Sequence, residues 1–291
     1  MTAMEDRKEA LARFTPGDVD YVVERELAFA SNYASHSDPS AVLLAGQPGA
    51  GKTILSAMLN RTFGGDAFFI NADEYRRFHP NYRKLYETYG TDVVSMTSDF
   101  SSAVTERLIQ GLSERKINLI IEGTGRTTEV PHHTAELLTG QSYRVELAAI
   151  AVRPVVSLCS TLLRFYKMNE GGTIPRATAM DAHDHVVAVL PGNLDKLNDD
   201  SLLSRVTIWT RELDKLFDCT ENPGRPSNAL LQYWNRPWFS EEIQSVKRSI
   251  AVLREKERLS HFRQGSAIDE LERRFQYAVQ SPTISPGMTM S

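Results

Sequence analysis

The segment Gly46-Gln47-Pro48-Gly49-Ala50-Gly51-Lys52-Thr53 constrains this chain more than any other feature. It matches G-x-x-x-x-G-K-[ST], the phosphate-binding P-loop. Before it runs Ala41-Val42-Leu43-Leu44-Ala45, an apolar stretch of buried-strand length. After it, Ile54, Leu55, Met58 and Leu59 follow at helical spacing. A strand therefore enters the loop and a helix leaves it. Glycines let the backbone turn its N–H groups inward around an anion, and the new helix adds the positive end of its dipole. In such a loop the lysine, Lys52, reaches the β- and γ-phosphates, and the Thr53 hydroxyl holds Mg²⁺. The expected ligand is a nucleoside triphosphate, held by Gly46 to Thr53 together. The alternative is a glycine-rich strand-to-helix turn with an incidental lysine. The motif is silent on the fate of the γ-phosphate.

At 291 residues the chain has room for one α/β domain with an appendage, or for two small domains. Its 41% hydrophobic and 24% charged residues suit a soluble globular chain rather than a disordered one. A net charge of −4 argues against nucleic acid as the main partner, because gripping a phosphate backbone needs a basic surface. Cys159 and Cys219 lie far apart without metal-ligand spacing, and the N-terminus carries no signal-peptide pattern. Reduced thiols in a cytoplasmic protein are expected. No apolar run is long enough to cross a bilayer, so no membrane association is expected.

Thr15-Pro16-Gly17-Asp18 has the form of a helix start, with Thr15 as N-cap, and Val19, Val22, Val23 and Leu27 give that helix an apolar face. Residues 67–70, 119–121, 145–152 and 206–209 read as further strands. Helical patterns lie between them, among others at 155–168 and 177–190. The alternation predicts an α/β fold: a parallel sheet carrying the P-loop and covered by helices on both faces. Ligands bind such sheets beyond the carboxyl ends of the strands. Past Arg211 the character changes. A turn-rich break at 222–227 precedes two amphipathic helices, one through Ile243, Val246, Ile250 and Leu253 with Ser240 as N-cap, the other through Ile268, Leu271, Phe275 and Val279. Their mixed outer charge suits a packing role. The expected division is a helical leader over 1–40, a kinase core over 41–211, a helical C-terminal extension over 212–280 and a disordered tail over 281–291.

Polar residues cluster where the strands end. Asn71-Ala72-Asp73-Glu74 follows the second strand, and Asp73 suits either of two compatible roles there. It can accept a proton from an attacking hydroxyl, or cap a short helix. Glu122-Gly123-Thr124-Gly125-Arg126 follows the third strand, where P-loop proteins place the acid that organises Mg²⁺. Its glycines, Thr124 and Arg126 form a polar rim fit for a hydroxylated or anionic substrate. Arg164 and Arg176 flank Gly171-Gly172 in a segment read as a mobile helical lid, and phosphoryl transfer needs cations that cancel charge on the γ-phosphate. His183, Asp184 and His185 do not form a metal site by this reading, because i and i+2 lie on different helix faces.

The order GQPGAGKT, INADEYRRFHPNY, LIIEGTGRTTEVP, RFYKM, PRAT and AHD resembles the bacterial zeta toxin family, P-loop kinases of toxin–antitoxin modules. The likeness runs from Ser40 to Trp209, and the IEGTGRTT block is far more specific than the P-loop. The resemblance implies ATP-dependent phosphorylation of a hydroxyl on the amino sugar of UDP-N-acetylglucosamine or a related UDP-sugar, which blocks cell-wall precursor synthesis. It implies that Lys52 and Thr53 hold phosphates and Mg²⁺, and that Asp73 is the base. By the same likeness Glu106, Glu122, Thr124, Arg126 and Thr134 line the UDP-sugar pocket, and Arg164 and Arg176 clamp the phosphates. A small helical antitoxin is the implied partner, and the residues ahead of the P-loop resemble the short leader of stand-alone toxins rather than a fused antitoxin. From Glu212 onward no residue-level correspondence is found. Two other readings share these residues: a P-loop kinase of another small hydroxylated substrate such as a nucleoside or antibiotic, and a nucleotide-dependent switch. The switch is disfavoured because no Asn-Lys-x-Asp guanine-recognition sequence occurs.

Overall fold

The computed structural model describes residues 3–171, 174, 177–260 and 263–280. Six strands form one sheet: β1 (Ser40–Ala45), β2 (Phe68–Ile70), β3 (Leu119–Glu122), β4 (Arg144–Ala151), β5 (Arg205–Thr210) and β6 (Lys215–Asp218). Their order is β2-β3-β1-β4-β5-β6, parallel throughout except for the antiparallel β5–β6 pair. The helices are α1 (Ala3–Ala12), α2 (Pro16–Phe29), α3 (Lys52–Thr62), α4 (Ala72–Tyr75), α5 (Tyr82–Tyr89), α6 (Val93–Met96), α7 (Ser98–Glu114), α8 (Glu129–Gly140), α9 (Pro154–Glu170), α10 (Met180–Asn198), α11 (Pro226–Asn235), α12 (Ser240–Leu259) and α13 (Gly265–Gln280). The α/β architecture expected from the strand–helix alternation is the one observed.

Strand periodicity divides the core between the two faces of the sheet. Ala41, Leu43 and Ala45 of β1 join Leu119, Ile121, Val145, Leu147 and Ala149 in one cluster, which α2, α7, α8 and α10 cover. Val42, Leu44, Ile120, Ala148 and Ile150 point the other way, toward Leu55 of α3. Side chains alternate faces along a strand, and both faces of a parallel sheet are buried, so β1 is apolar at nearly every position. Thr15 is the N-cap of α2 as expected, and with Asp18 it forms a capping box: the Thr15 N–H donates to Asp18 Oδ2 at 2.7 Å, and the Asp18 N–H to Thr15 Oγ1 at 3.3 Å.

The C-terminal region divides between two surfaces. Leu230 and Trp234 of α11 return onto the sheet core. Val246, Ile250 and Leu253 of α12, with Ile268, Leu271 and Phe275 of α13, pack on Val155, Leu158, Cys159, Leu162, Phe165 and Tyr166 of α9. One face of α9 is thus occupied by the extension. Three local expectations differ from the structure. Strand β6 was not anticipated, because Lys215 and Asp218 take up half of its four residues and hide the pattern. Residue 240 is not the N-cap of α12: Phe239 is, with its N–H bound to the Glu242 carboxylate at 3.0 Å. Helix α10 runs through Pro191 to Asn198 rather than stopping at 190. The tail over 281–291 lies outside the described residues.

Candidate active site

The loop between β1 and α3 takes the form the motif demands. Gly46, Gly49 and Gly51 all have positive φ, at 149°, 78° and 98°. Gly49 is also sterically required, since a Cβ there would lie 2.1 Å from the Ser157 carbonyl oxygen of α9. Gln47 turns its side chain inward. Its Nε2 donates to the Val152 carbonyl at 2.6 Å and to Ser157 Oγ at 3.3 Å, and the residue has no exposed surface. Only its backbone is placed to meet a phosphate.

Lys52 opens α3 and is 7% exposed. Its Nζ donates to the Gly46 carbonyl at 2.9 Å and lies 3.6 Å from Glu122 Oε1. Burial lowers the Lys52 pKa below its ordinary value. The nearby Glu122 carboxylate opposes that shift, the Arg164 charge adds to it, and Asp73 again opposes it. All three charges therefore act at one point, the lysine ammonium.

Three adjacent strand ends build this cluster. Glu122 closes β3, where it pairs in register with Leu44 of β1. Its Oε2 accepts from Asn71 Nδ2 at 3.2 Å, just beyond β2. Asn71 Oδ1 in turn accepts the Asp73 N–H at 3.0 Å. Asn71, not Asp73, is thus the N-cap of α4. The capping alternative for Asp73 gives way, and its carboxylate is left to other work. Arg76 Nε holds Asp73 Oδ1 at 2.9 Å, and Arg76 Nη1 is anchored on the Val94 carbonyl at 2.6 Å. The Asp73 side chain remains 46% exposed.

The Glu122–Arg126 segment is tied to the P-loop through its backbone. The Gly46 N–H donates to the Thr124 carbonyl at 3.2 Å, and the Gly123 N–H to the Leu44 carbonyl at 3.0 Å. Asn193 of α10 donates to both the Gly125 and Arg126 carbonyls at 3.0 Å, leaving the Arg126 side chain exposed. Arg164 is exposed on α9, and its Nη2 donates to Thr178 Oγ1 at 3.3 Å. Glu106 and Thr134 stand apart from this network. Glu106 is exposed on α7, and Thr134 of α8 donates its hydroxyl to the Val130 carbonyl of its own helix. Arg176 lies outside the described residues.

Two features escaped the sequence reading. Arg211, just beyond β5, donates to the Gly49 carbonyl at 2.5 Å and the Ala50 carbonyl at 3.2 Å. Nothing in its local sequence marks it, because its partners are 161 and 162 positions away. The second is a chain of polar groups, buried from Gln47 through Ser157 to His183 Nε2 (2.8 Å from Ser157 Oγ), that runs outward from His183 Nδ1 to Asp184, whose carboxylate accepts two bonds from Arg274 of α13 at 2.7 and 2.8 Å. Burial lowers the His183 pKa. His183 is thus a core histidine, and among the described residues no group of three or more His, Cys, Asp or Glu side chains could hold a metal.

The Thr53 hydroxyl, at an exposed position, and the Glu122 carboxylate offer hard oxygen donors, which suit Mg²⁺ shared with substrate phosphates rather than caged by protein. A separate cleft of about 790 Å³ lies beside the start of α9, lined by Arg153, Trp234, Trp238, Ile243 and Arg274, and contains none of the P-loop or strand-end residues from Gly46 to Thr53, Asn71 to Asp73 and Glu122 to Arg126. Both cysteines are free. No described helix is long and apolar enough to cross a membrane.

The chain matches the zeta toxin family model over residues 24–221. Toxin PezT of Streptococcus pneumoniae serotype 4 is 35% identical over 238 residues, covering 80% of this chain and 93% of that protein. Toxin zeta of Streptococcus pyogenes is 38% identical over 208 residues, covering 71% and 72%. A solved structure from the PezAT chromosomal toxin–antitoxin system of Streptococcus pneumoniae superposes with a TM-score of 0.76 at 32% identity, over 84% of this chain and 99% of that one. The AvrRxo1-ORF1:-ORF2 complex shares the fold, with a TM-score of 0.56 at 16% identity over 93% and 94% of the two chains.

Proposed function

This chain belongs to the zeta toxin family, and from that premise we propose that it transfers the γ-phosphate of ATP to a hydroxyl on the amino sugar of UDP-N-acetylglucosamine or a related UDP-sugar. The observation that carries the reading is the polar line from Lys52, ion-paired with Glu122 at 3.6 Å, through the Asn71 side chain that donates to Glu122 to the Asp73 backbone N–H that donates to Asn71. It joins a phosphate-binding lysine to an exposed carboxylate across three strand ends, so donor and acceptor meet in one cleft.

In this mechanism the P-loop amides and Lys52 bind the β- and γ-phosphates. Thr53, with Glu122 nearby, would hold the Mg²⁺, which when bound neutralises phosphate charge. Asp73, its carboxylate oriented by Arg76, takes the proton of the attacking hydroxyl. Arg164, whose charge already acts on Lys52, balances charge on the transferring phosphoryl group, with Arg176 as its partner. By the same reading Glu106, Glu122, Thr124, Arg126 and Thr134 line the UDP-sugar pocket. The same reading makes the chain the toxin of a toxin–antitoxin pair acting on cell-wall precursors, restrained by a small helical antitoxin. The PezAT system of its structural relative supports that partner.

The test is incubation with ATP and UDP-N-acetylglucosamine, with the new phosphate located by NMR. Phosphate on the amino sugar is expected. The Asp73→Ala variant should slow transfer by about 10²–10⁴-fold while keeping wild-type ADP affinity. No product from any UDP-sugar removes the substrate assignment. An Asp73→Ala enzyme of native rate removes the base.

A further inference from the structure

The P-loop is gripped from its outer side by a residue that no motif marks. Arg211 is half-buried immediately after β5. Its Nη2 donates to the Gly49 carbonyl at 2.5 Å and to Ser160 Oγ at 3.2 Å, and its Nε to the Ala50 carbonyl at 3.2 Å. A Cβ on Gly51 would come within 3.2 Å of that Nε, so the third P-loop glycine also leaves room for the guanidinium.

A trans peptide holds its C=O and N–H on opposite sides. Binding the Ala50 carbonyl therefore turns the Gly51 N–H to the other side of the loop, toward the anion. The Ala50 N–H is already engaged by the Gln47 carbonyl at 3.1 Å. Arg211 thus pins two consecutive peptides whose carbonyls would otherwise be free to rotate toward the phosphates. A planar fork can hold both carbonyls at once, which a lysine cannot. The third contact reaches α9: Ser160 lies one helical turn before Arg164, so the same side chain sets the spacing between loop and arginine clamp.

We propose that Arg211 is a positioning residue for phosphoryl transfer, presetting the P-loop amides and registering α9 against them. The proposal rests on the reading of Gly46 to Thr53 as a nucleotide site and is independent of the acceptor.

The test compares Arg211→Met and Arg211→Lys with wild type by titrating ADP and adenosine, alongside kcat/KM for ATP and thermal unfolding. Misplacing a reacting group by an ångström costs about 10²-fold, so a loss of that order in kcat/KM is expected for Arg211→Met. ADP affinity should fall about tenfold or more with adenosine affinity unchanged, because only ADP engages the Gly51 N–H that the pin turns toward the anion. Arg211→Lys should fall between. Equal loss of ADP and adenosine binding, in step with a falling Tm, would reveal a merely structural role and overturn the proposal, as would unaltered ADP affinity. Should Arg211→Met fail to fold, the ADP-to-adenosine ratio of Arg211→Lys decides: a reduced ratio supports the pin and a wild-type ratio overturns it. A wild type that binds ADP but phosphorylates no UDP-sugar sinks the acceptor assignment alone, and the ADP titrations still judge Arg211.

Discussion

Replacing Gly49 by alanine tests the joint between the P-loop and α9. Gly49 has φ of 78°, where an L-residue costs roughly 1–2 kcal/mol. The added Cβ would sit 2.1 Å from the Ser157 carbonyl oxygen and 2.9 Å from Thr161 Cγ2, whereas ordinary contact begins at 3.4 Å. Loop and helix must then part by more than an ångström. No flexible side chain can absorb that shift, because the nearest atom belongs to helix backbone. Overpacking of this kind costs roughly 1–3 kcal/mol, which brings the total to about 2–5 kcal/mol. The same movement strains the bonds from Gln47 to Ser157 and from Arg211 to the Gly49 carbonyl. Thermal unfolding should register a fall of roughly 5–15 °C, and ATP turnover a loss of about 10²-fold. The matched control is Gly64→Ala, with φ of 66° but nothing within 4 Å of the new Cβ. It bears the backbone strain alone and should lose only a few degrees, with native turnover. A Gly49→Ala protein as stable and as active as Gly64→Ala would refute the packing argument.

Two further outcomes follow from charge. Burial already lowers the Lys52 pKa and Glu122 opposes the shift, so Glu122→Gln should lower it further. In the proposed mechanism protonated Lys52 binds phosphate, so the alkaline limb of the ATP-turnover profile should move to lower pH; an unmoved limb would exclude the coupling. The same depression means that Lys52 costs stability below its folded pKa, a cost that fades as pH rises toward 10.5. Asp218 is fully buried and accepts bonds from Arg205, from Lys215 at 2.9 Å and from Thr220 Oγ1 at 2.7 Å. The Arg205 hydrogen bonds hold its carboxyl far below the usual range. Asp218→Asn should cost about 2–3 kcal/mol at neutral pH. Because the folded pKa is depressed, that difference should shrink as pH falls below the unfolded value of 3.8. Denaturant unfolding at several pH values reads both, and a pH-independent difference would contradict the assignment.

The outline of the nucleotide half was legible because each of its signals is local. An apolar run, three glycines, a lysine and a helical repeat occupy one short stretch, and each follows from backbone sterics or periodicity. The strand-end carboxylates were legible in part. Asp73 and Glu122 stand directly after strands, so the rule that ligands gather at carboxyl ends finds them. Their division of labour was not legible, since whether Asn71 or Asp73 caps α4 depends on rotamers that Arg76 settles three residues away and Glu122 settles from 51 positions away.

The sequence alone determined that a strand, a phosphate loop and a helix occur in that order, and which acids and arginines could do chemistry beside them. Only the tertiary structure decided that β6 adds an antiparallel edge, that His183 is a core hydrogen-bonding residue, and that Arg211 grips the loop from behind. The physical reason is sequence distance. Periodicity and capping act over a few residues and leave a trace in the chain, whereas the Arg211–Gly49 bond joins residues 162 positions apart, and β4 must first lie between β1 and β5 in the sheet to bring them together.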